Sequence, residues 1–167
     1  MHVLAIDGPG QGEMLREGVY VTQDNHIIAA KAAYEFLAKQ KTVDEKKIGI
    51  CGRSFGTFWS MRAAAAEPRF AALAGAVACY FWDNLTIFDE APIRFKQIFM
   101  EMAGTHSEEQ FDLMCQDFSL KPDVARISCP TLMATGEFDP LSPLEDADAI
   151  FNKLNAPKEM WVFEDEF

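Results

Sequence analysis

The sequence predicts an α/β fold with a mostly parallel sheet and flanking helices. Short apolar runs alternate with helical patterns along the chain, and one long segment between them lacks a strand pattern. The composition, 49% hydrophobic and 25% charged over 167 residues, is that of a globular protein. This length is enough to bury one sizeable core, so we expect a single domain over residues 1–167.

Five apolar runs bounded by charged or turn residues predict buried strands, at residues 3–6, 48–51, 73–80, 131–135 and 160–163. Helical spacing of apolar positions predicts three helices, at residues 24–41, 54–66 and 142–154. Strands separated by helices need crossover connections, which produce a parallel sheet. We therefore expect a parallel sheet with helices covering both of its faces.

The segment from about residue 81 to residue 128 contains no strand pattern but is rich in aromatic residues and methionine. It predicts a helical insertion that forms an apolar lid, which would exclude water and bind aromatic or aliphatic groups. Phe81 and Trp82 come shortly after a predicted strand end, and we expect them to bind substrate. For most of the other rings, packing of the lid helices on the sheet is the better explanation.

The charge balance argues against two classes of partner. Fifteen Lys and Arg against twenty-six Asp and Glu give a net charge of -11, which disfavours binding to nucleic acid and to anionic membrane surfaces. The chain starts without a basic leader, and its longest apolar stretch is too short to span a bilayer. We expect a cytoplasmic protein that binds a small apolar molecule, and the sequence leaves open whether it forms homo-oligomers.

The cysteines are widely spaced and form no CxxC pair, which indicates neither a zinc site nor a disulfide framework. We expect reduced, mostly buried thiols and no metal or other cofactor. The four residues are Cys51, Cys79, Cys115 and Cys129.

Residues 52–56 read GRSFG and stand directly between a predicted strand and a predicted helix. In this setting G-x-S-x-G holds a serine nucleophile, here Ser54, on a sharp and strained turn with its hydroxyl clear of the sheet. Side chains at Gly52 and Gly56 would collide with the turn, and the amide of Phe55 at the helix start can donate to an oxyanion. The alternative is an ordinary glycine-rich turn in which Ser54 caps the helix.

Residues 136–140 read GEFDP and place Asp139 just beyond a predicted strand. Catalytic groups collect at the carboxyl ends of strands in open α/β sheets. An acid that follows the serine in the chain can orient a catalytic histidine and stabilise its charged form. Asp139 is therefore the candidate acid of a triad with Ser54, the alternative being an aspartate in a proline turn before a helix.

The order serine, acid, histidine requires a histidine after Asp139, and the sequence has none there. The three histidines are His2, His26 and His106, and each is more simply explained as an exposed or packed residue. Either the histidine lies beyond residue 167, or the chain is not catalytic.

Residues 7–12, DGPGQG, follow the first predicted strand but match neither the dinucleotide-binding nor the P-loop pattern. We expect a tight loop whose glycines let the backbone pass close to the turn at Ser54. Asp7 is expected to stabilise this loop rather than to catalyse.

The segments AIDGPGQGEM, KIGICGRSFGTFWSMRAAAAEPRFAALAG and CPTLMATGEFDPLSPLEDA resemble the α/β-hydrolase superfamily. They look like its fourth strand, its nucleophile turn with the next helix and strand, and its acid-bearing strand. The amino-acid sequences of the first two segments are most similar to the subgroup that contains the fermentation-respiration switch esterase and dihydroxypseudooxynicotine hydrolase. The resemblance implies Ser54 as nucleophile, the Phe55 amide in the oxyanion hole and Asp139 as the acid.

The resemblance also implies that the chain is a fragment covering the fourth to eighth strands of that fold. In the complete family fold the third strand would lie between the segments that correspond to residues 3–6 and 48–51. We therefore predict that these two segments do not pair. An unfilled position of this kind exposes unpaired backbone groups. Thr57 stands where many members have a second glycine after the turn.

The favoured function is a serine hydrolase that forms an acyl-enzyme with a small, largely apolar ester. A carbon-carbon bond hydrolase and an acyltransferase of the same fold are alternatives. The rival from another class is a non-catalytic hydrolase-like domain that binds an apolar ligand or a partner chain. In every case this chain alone is expected to be inactive, because no histidine follows Asp139.

Overall fold

The computed structural model describes residues 2–77, 79–83 and 85–164 and contains a four-stranded parallel sheet. The strands are β1 (Ile50–Arg53), β2 (Leu73–Ala76), β3 (Thr131–Gly136) and β4 (Lys158–Phe163). They lie in sequence order, with Ile50 opposite Leu73, Leu73 opposite Thr131 and Thr131 opposite Lys158. All the carboxyl ends of the strands therefore lie at one edge of the sheet.

Helices connect the strands and precede the sheet. They are α1 (Gly12–Arg16), α2 (Asn25–Ala38), α3 (Phe55–Ala66), α4 (Ile87–Glu90), α5 (Ile93–Met102), α6 (Glu108–Cys115) and α7 (Leu144–Lys153). Short 3₁₀ turns cover Glu45–Lys47 and Val124–Arg126. Helices α4, α5 and α6 fall in the segment predicted to be a lid, and its role as a lid stays a prediction.

The α/β fold class is confirmed, and the three predicted helices correspond to α2, α3 and α7. The second strand ends four residues earlier than predicted, at Ala76. The reason is backbone conformation: Val77 and Cys79 have φ values of 57° and 63°, in the left-handed region that β-strand residues do not adopt.

The strand predicted at residues 3–6 is wrong. This segment has no regular secondary structure, and the side chain of Val3 is 79% exposed. A groove of about 1090 Å³ lies between residues 2–5 and the sheet, and Ile50, Cys51 and Ala74 help to line it. β1 is consequently an edge strand of the described sheet, and the prediction that residues 3–6 do not pair with it is confirmed.

The expectation that helices cover both faces of the sheet is also wrong. Leu73 and Met133 on one face belong to the main core with residues of α3 and α7, whereas α2 packs on α3. On the other face, Cys51 is exposed and Leu132 is only partly buried. Both sheet-packing helices lie on the same side, so the opposite face is left largely uncovered within the described part of the chain.

No helix among the described residues is both long and apolar enough to cross a membrane.

Candidate active site

Ser54 occupies the turn between β1 and α3 with φ 53° and ψ -127°, a conformation that is rare for a residue other than glycine. Its amide donates to the carbonyl of Ala76 at 3.0 Å, which fixes the turn to the end of β2. The Ser54 side chain makes no capping hydrogen bond to α3. The turn therefore strains the backbone at Ser54 without using its hydroxyl as a helix cap.

The two glycines of the motif differ in their surroundings. A Cβ atom at Gly52 would lie 2.0 Å from the carbonyl oxygen of Gly56 and 2.4 Å from Oγ of Ser60, so no side chain fits there. A Cβ atom at Gly56 would meet nothing within 4 Å. The expectation of a collision at both positions is thus confirmed for Gly52 and wrong for Gly56, whose Cα hydrogen points into open space.

Thr57 fastens the start of α3 to the sheet. Its hydroxyl lies 3.3 Å from the carbonyl oxygen of Gly52 and 3.2 Å from that of Ala76, the ends of β1 and β2. The glycine at position 75 makes room for it, because a Cβ there would lie 2.8 Å from Cγ2 of Thr57. The threonine that departs from the family pattern is therefore accommodated by Gly75 in the neighbouring strand.

Phe55 places its amide in the first turn of α3, where helix amides have no intrahelical acceptor. Its ring is buried at the centre of an aromatic cluster. The rings around it, with centroids 4.7–6.3 Å away, are Phe58, Trp59, Phe81, Phe88, Phe99 and Phe118. Four of these rings come from residues 81–118, so the predicted lid packs directly on the residue that follows Ser54.

Asp139 lies three residues beyond the end of β3 and is 8% exposed. Its Oδ1 accepts a hydrogen bond from the amide of Leu141 at 2.9 Å, and its carbonyl accepts one from the amide of Ser142 at 3.3 Å. These bonds close a turn over residues 139–142 at the carboxyl edge of the sheet, the edge that also carries Ser54.

Cys79 is a buried cysteine that follows β2 and is influenced by both predicted catalytic side chains. Its thiol is close enough to the side chain of Ser54 and to the charge of Asp139 for both to act on its pKa. Burial raises the pKa of Cys79 to about 12, the nearby Ser54 side chain acts in the opposite direction, and the Asp139 charge adds to the rise. Ser54 and Asp139 thus follow strands at the same edge of the sheet, and a neutral thiol is influenced by both.

In the sequence, Cys79 is only one of four cysteines expected to be mostly buried, and the structure also buries Cys115 and Cys129. Cys51, by contrast, is exposed. The one pattern that could have singled out Cys79 is its position just past a strand that neighbours β1, at the edge where catalytic groups collect.

The two predicted substrate-binding residues lie in different surroundings. Phe81 is 1% exposed, and its ring packs 5.3 Å from the rings of Phe55 and Phe58. Trp82 is partly buried and lines a cavity of about 540 Å³ with Phe88 and other residues of the predicted lid. A substrate can reach Phe81 only if the aromatic cluster opens.

The three histidines have other positions. His2 lines the groove near the amino ends of the strands, and His106 is exposed between α5 and α6. His26 stacks on Trp59 with ring centroids 4.5 Å apart and is hydrogen-bonded to the backbone of Pro9. Burial lowers the pKa of His26 to about 4, against an ordinary 6.5, and the Pro9 bond offsets part of that shift.

The loop at residues 7–12 approaches helices rather than the turn at Ser54. A Cβ at Gly8 would lie 2.6 Å from the ring of His26, and one at Gly10 would lie 2.7 Å from the carbonyl oxygen of Met102. The expected close approach of this loop exists, but its neighbours are α2 and α5. Asp7 accepts a hydrogen bond from the amide of Glu13 at 3.4 Å, which agrees with a stabilising role in the loop.

Curated relatives are hydrolases. The chain is 29% identical over 161 residues to 2,6-dihydropseudooxynicotine hydrolase of Paenarthrobacter nicotinovorans. The aligned region covers 93% of this chain and 41% of that protein. A hydrolase of Fusarium is 28% identical over 98% of this chain and 48% of its own length. The chain thus spans less than half the length of these two relatives.

Solved structures agree with the fold. That of 2,6-dihydroxy-pseudo-oxynicotine hydrolase superposes with a TM-score of 0.80 at 26% identity, covering 93% of this chain and 43% of the other. Acetyl xylan esterase 1 from Thermoanaerobacterium shares the fold with a TM-score of 0.59 at 23% identity. That match covers 84% of this chain and 47% of the esterase chain. The prolyl oligopeptidase family matches residues 3–166, almost the whole sequence. The chain therefore belongs to the prolyl oligopeptidase family of α/β-hydrolases.

Proposed function

We propose that this chain carries the nucleophile and the acid of a serine hydrolase whose histidine lies outside its 167 residues. The observation that carries the proposal is the left-handed conformation of Ser54, φ 53°, between a strand and a helix. Such strain persists where the surrounding structure enforces it, and it occurs at functional turns. The buried carboxylate of Asp139 at the same edge of the sheet supports the assignment.

The reaction that we propose assigns a step to each of these residues. A histidine takes the proton of the Ser54 hydroxyl as the oxygen attacks a substrate carbonyl, and the Phe55 amide donates to the oxyanion that forms. The histidine then protonates the leaving group, which departs and leaves an acyl group on Ser54. Water, deprotonated by the same histidine, hydrolyses this ester and restores the serine. Asp139 orients the imidazole and stabilises its charged form.

The substrate class we propose is a small, largely apolar ester. The support is the aromatic cluster around Phe55, which includes Phe88 and Phe99 of α4 and α5 and lies next to Ser54. Apolar groups gain free energy by leaving water for such surroundings. A carbon-carbon bond beside a ketone is the second candidate, supported by the similarity to 2,6-dihydropseudooxynicotine hydrolase.

The test is covalent labelling of the full-length protein with a fluorophosphonate probe, read by intact mass. We expect one adduct on the native protein, no adduct after denaturation and no adduct in Ser54→Ala. Labelling of Asp139→Asn should be slower than labelling of the wild type, which would identify Asp139 as the acid. The control is Asp148→Asn, on the exposed side of α7.

Two outcomes would contradict the proposal. A native full-length protein without an adduct would favour the rival function, a hydrolase-like domain that only binds. An adduct that persists in Ser54→Ala would place the nucleophile elsewhere. Turnover of p-nitrophenyl esters of increasing acyl length, compared with an aryl ketone, separates ester from carbon-carbon bond cleavage.

A further inference from the structure

Tyr80 is fully buried and inserts its hydroxyl between two strands of the sheet. The hydroxyl donates to the carbonyl of Gly75 at 2.8 Å and accepts a hydrogen bond from the amide of Ala134 at 3.0 Å. Gly75 belongs to β2 and Ala134 to β3. A single side chain therefore connects the two strands near their carboxyl ends.

The two groups that it connects are those that a regular parallel ladder would join directly. Ala76 and Ala134 are register partners, and the amide of Val77 donates to the carbonyl of Ala134 at 3.1 Å. In that register the amide of Ala134 points towards the carbonyl of Gly75. The hydroxyl of Tyr80 thus bonds the carbonyl of Gly75 and the amide of Ala134 just before β2 ends at Ala76.

The backbone of Tyr80 holds a second element. Its amide donates to Oγ of Ser142 at 3.1 Å, and Ser142 is fully buried. Ser142 in turn donates its own amide to the carbonyl of Asp139, closing the turn that carries the candidate acid. Tyr80 therefore contacts both β3 and the far end of the turn that follows it.

We propose that Tyr80 is the positioning residue for Asp139. Its side chain fixes where β3 ends, its amide fixes where the turn over residues 139–142 ends, and the carboxylate lies between these two anchors. Tyr80 acts through Asp139 and touches no reacting atom. This inference rests on the proposed serine hydrolase function and deepens it.

Removing the hydroxyl leaves two buried backbone groups without this partner. Tyr80→Phe keeps the ring but removes one hydrogen bond from the carbonyl of Gly75 and one from the amide of Ala134, and losing buried hydrogen bonds lowers stability. β2 and β3 then lose the side-chain link near their carboxyl ends, where the turn of Asp139 starts, so we expect the carboxylate to be positioned less precisely relative to Ser54. The substitution thus changes the geometry of the acid while it keeps the volume of the core.

The test compares Tyr80→Phe with Tyr34→Phe in the full-length protein. Tyr34 is also buried, and its hydroxyl donates to the carbonyl of Glu45 at 3.0 Å, in a separate core cluster with Phe70. Both variants lose one buried hydroxyl, so both should lose thermal stability. A purely structural role would make them alike in every other respect.

For Tyr80→Phe we expect kcat on an ester to fall about tenfold with KM within about twofold, because orientation of the base acts on the transition state. The acidic limb of the pH–rate profile should move to lower pH, as in Asp139→Asn, because the histidine loses stabilisation of its charged form. Tyr34→Phe should keep both values. Ser142→Ala, which removes only the anchor of the turn, should change kcat and the acidic limb in the same direction.

Three results decide the matter. Native protein that takes no fluorophosphonate adduct overturns the proposed function and this inference with it. Labelled protein in which Tyr80→Phe keeps the kcat and pH profile of the wild type overturns the inference alone. If Tyr80→Phe does not fold, Ser142→Ala decides, and an unchanged kcat and acidic limb in that variant overturns the inference.

Discussion

The thiol of Cys79 lies close enough to the side chain of Ser54 to interact with it, although 24 residues stand between the two in the chain. The pairing depends on the register of β1 and β2, which places the turn after one strand beside the segment after the other. It also depends on the left-handed conformation of both residues, with φ 53° and 63°. A buried, neutral thiol is thus part of the immediate surroundings of the candidate nucleophile.

Replacing Cys79 should change the reactivity of Ser54. Cys79→Ala removes the thiol that interacts with the nucleophile, and since one polar contact contributes about 1 kcal/mol, we expect fluorophosphonate labelling to slow about fivefold. Cys79→Ser keeps a hydrogen-bonding group and should recover most of the rate. Equal labelling rates in the wild type and Cys79→Ala would show that the thiol does not influence the serine. Cys115→Ala, a buried thiol of α6, is the matched control.

The two glycines of the turn should differ sharply when substituted. Gly52→Ala places a Cβ 2.0 Å from the carbonyl oxygen of Gly56, so the unfolding free energy should fall by at least about 3 kcal/mol. Gly56→Ala meets open space inside a helix and should stabilise the protein by up to about 1 kcal/mol. Urea unfolding of both variants measures this difference, and similar losses for the two would contradict the geometry of the turn.

The ion pair between Arg62 and Asp123 should be a strong stabilising contact. Nε of Arg62 lies 3.0 Å from Oδ2 of Asp123, and the two side chains are only 14% and 5% exposed. Asp123→Ala leaves the guanidinium of Arg62 with only the exposed Asp24 carboxylate at 3.7 Å and one loop residue as partners, so the unfolding free energy should fall by about 2 kcal/mol. Lys47→Ala, which breaks the exposed pair with Asp44, should cost less than about 1 kcal/mol. Chemical denaturation would refute the expectation if the two losses were equal.

Stability should fall on acidification because of His26. The pKa of the folded imidazole is about 4, below its ordinary 6.5, so the folded protein keeps it neutral. The stabilisation is fully present above about pH 6.5 and is lost as the pH falls towards 4, where the unfolded chain takes up the proton first. Allowing for partial exposure, the loss should be roughly 2 kcal/mol.

His26→Phe isolates this effect, because it keeps a ring on Trp59 but cannot titrate. The fall in unfolding free energy between pH 7 and pH 4.5 should be smaller in this variant than in the wild type. His106→Phe, at an exposed position, should behave like the wild type. An identical pH dependence for the wild type and His26→Phe would exclude His26 as the cause.

Local patterns predicted most of the fold because they depend on neighbouring residues. Apolar runs predicted β1, β3 and β4 within two residues of their starts, and helical spacing predicted α2, α3 and α7. The pattern failed at residues 3–6, which are as apolar as a strand but have no adjacent partner in the described structure. A strand requires hydrogen bonds from another strand, and a short run of side chains cannot show whether one is present.

The candidate site was predictable where a motif carries its own geometry. The sequence GRSFG required a turn between a strand and a helix, and Gly52 has the crowding that such a turn demands. It did not show that Gly56 faces open space or that Phe81 is buried beneath Phe55. Those facts depend on how the segment after β2 packs on α3.

By itself the sequence determined the α/β class, the strained turn at Ser54 and the acidic turn at Asp139. Only the tertiary structure decided that Cys79 contacts Ser54, that Tyr80 connects β2 with β3, and that one face of the sheet is uncovered. The physical reason is distance along the chain: strands and turns arise from interactions among near neighbours. The contacts around Ser54 join residues more than twenty positions apart, and sheet register and helix packing bring them together.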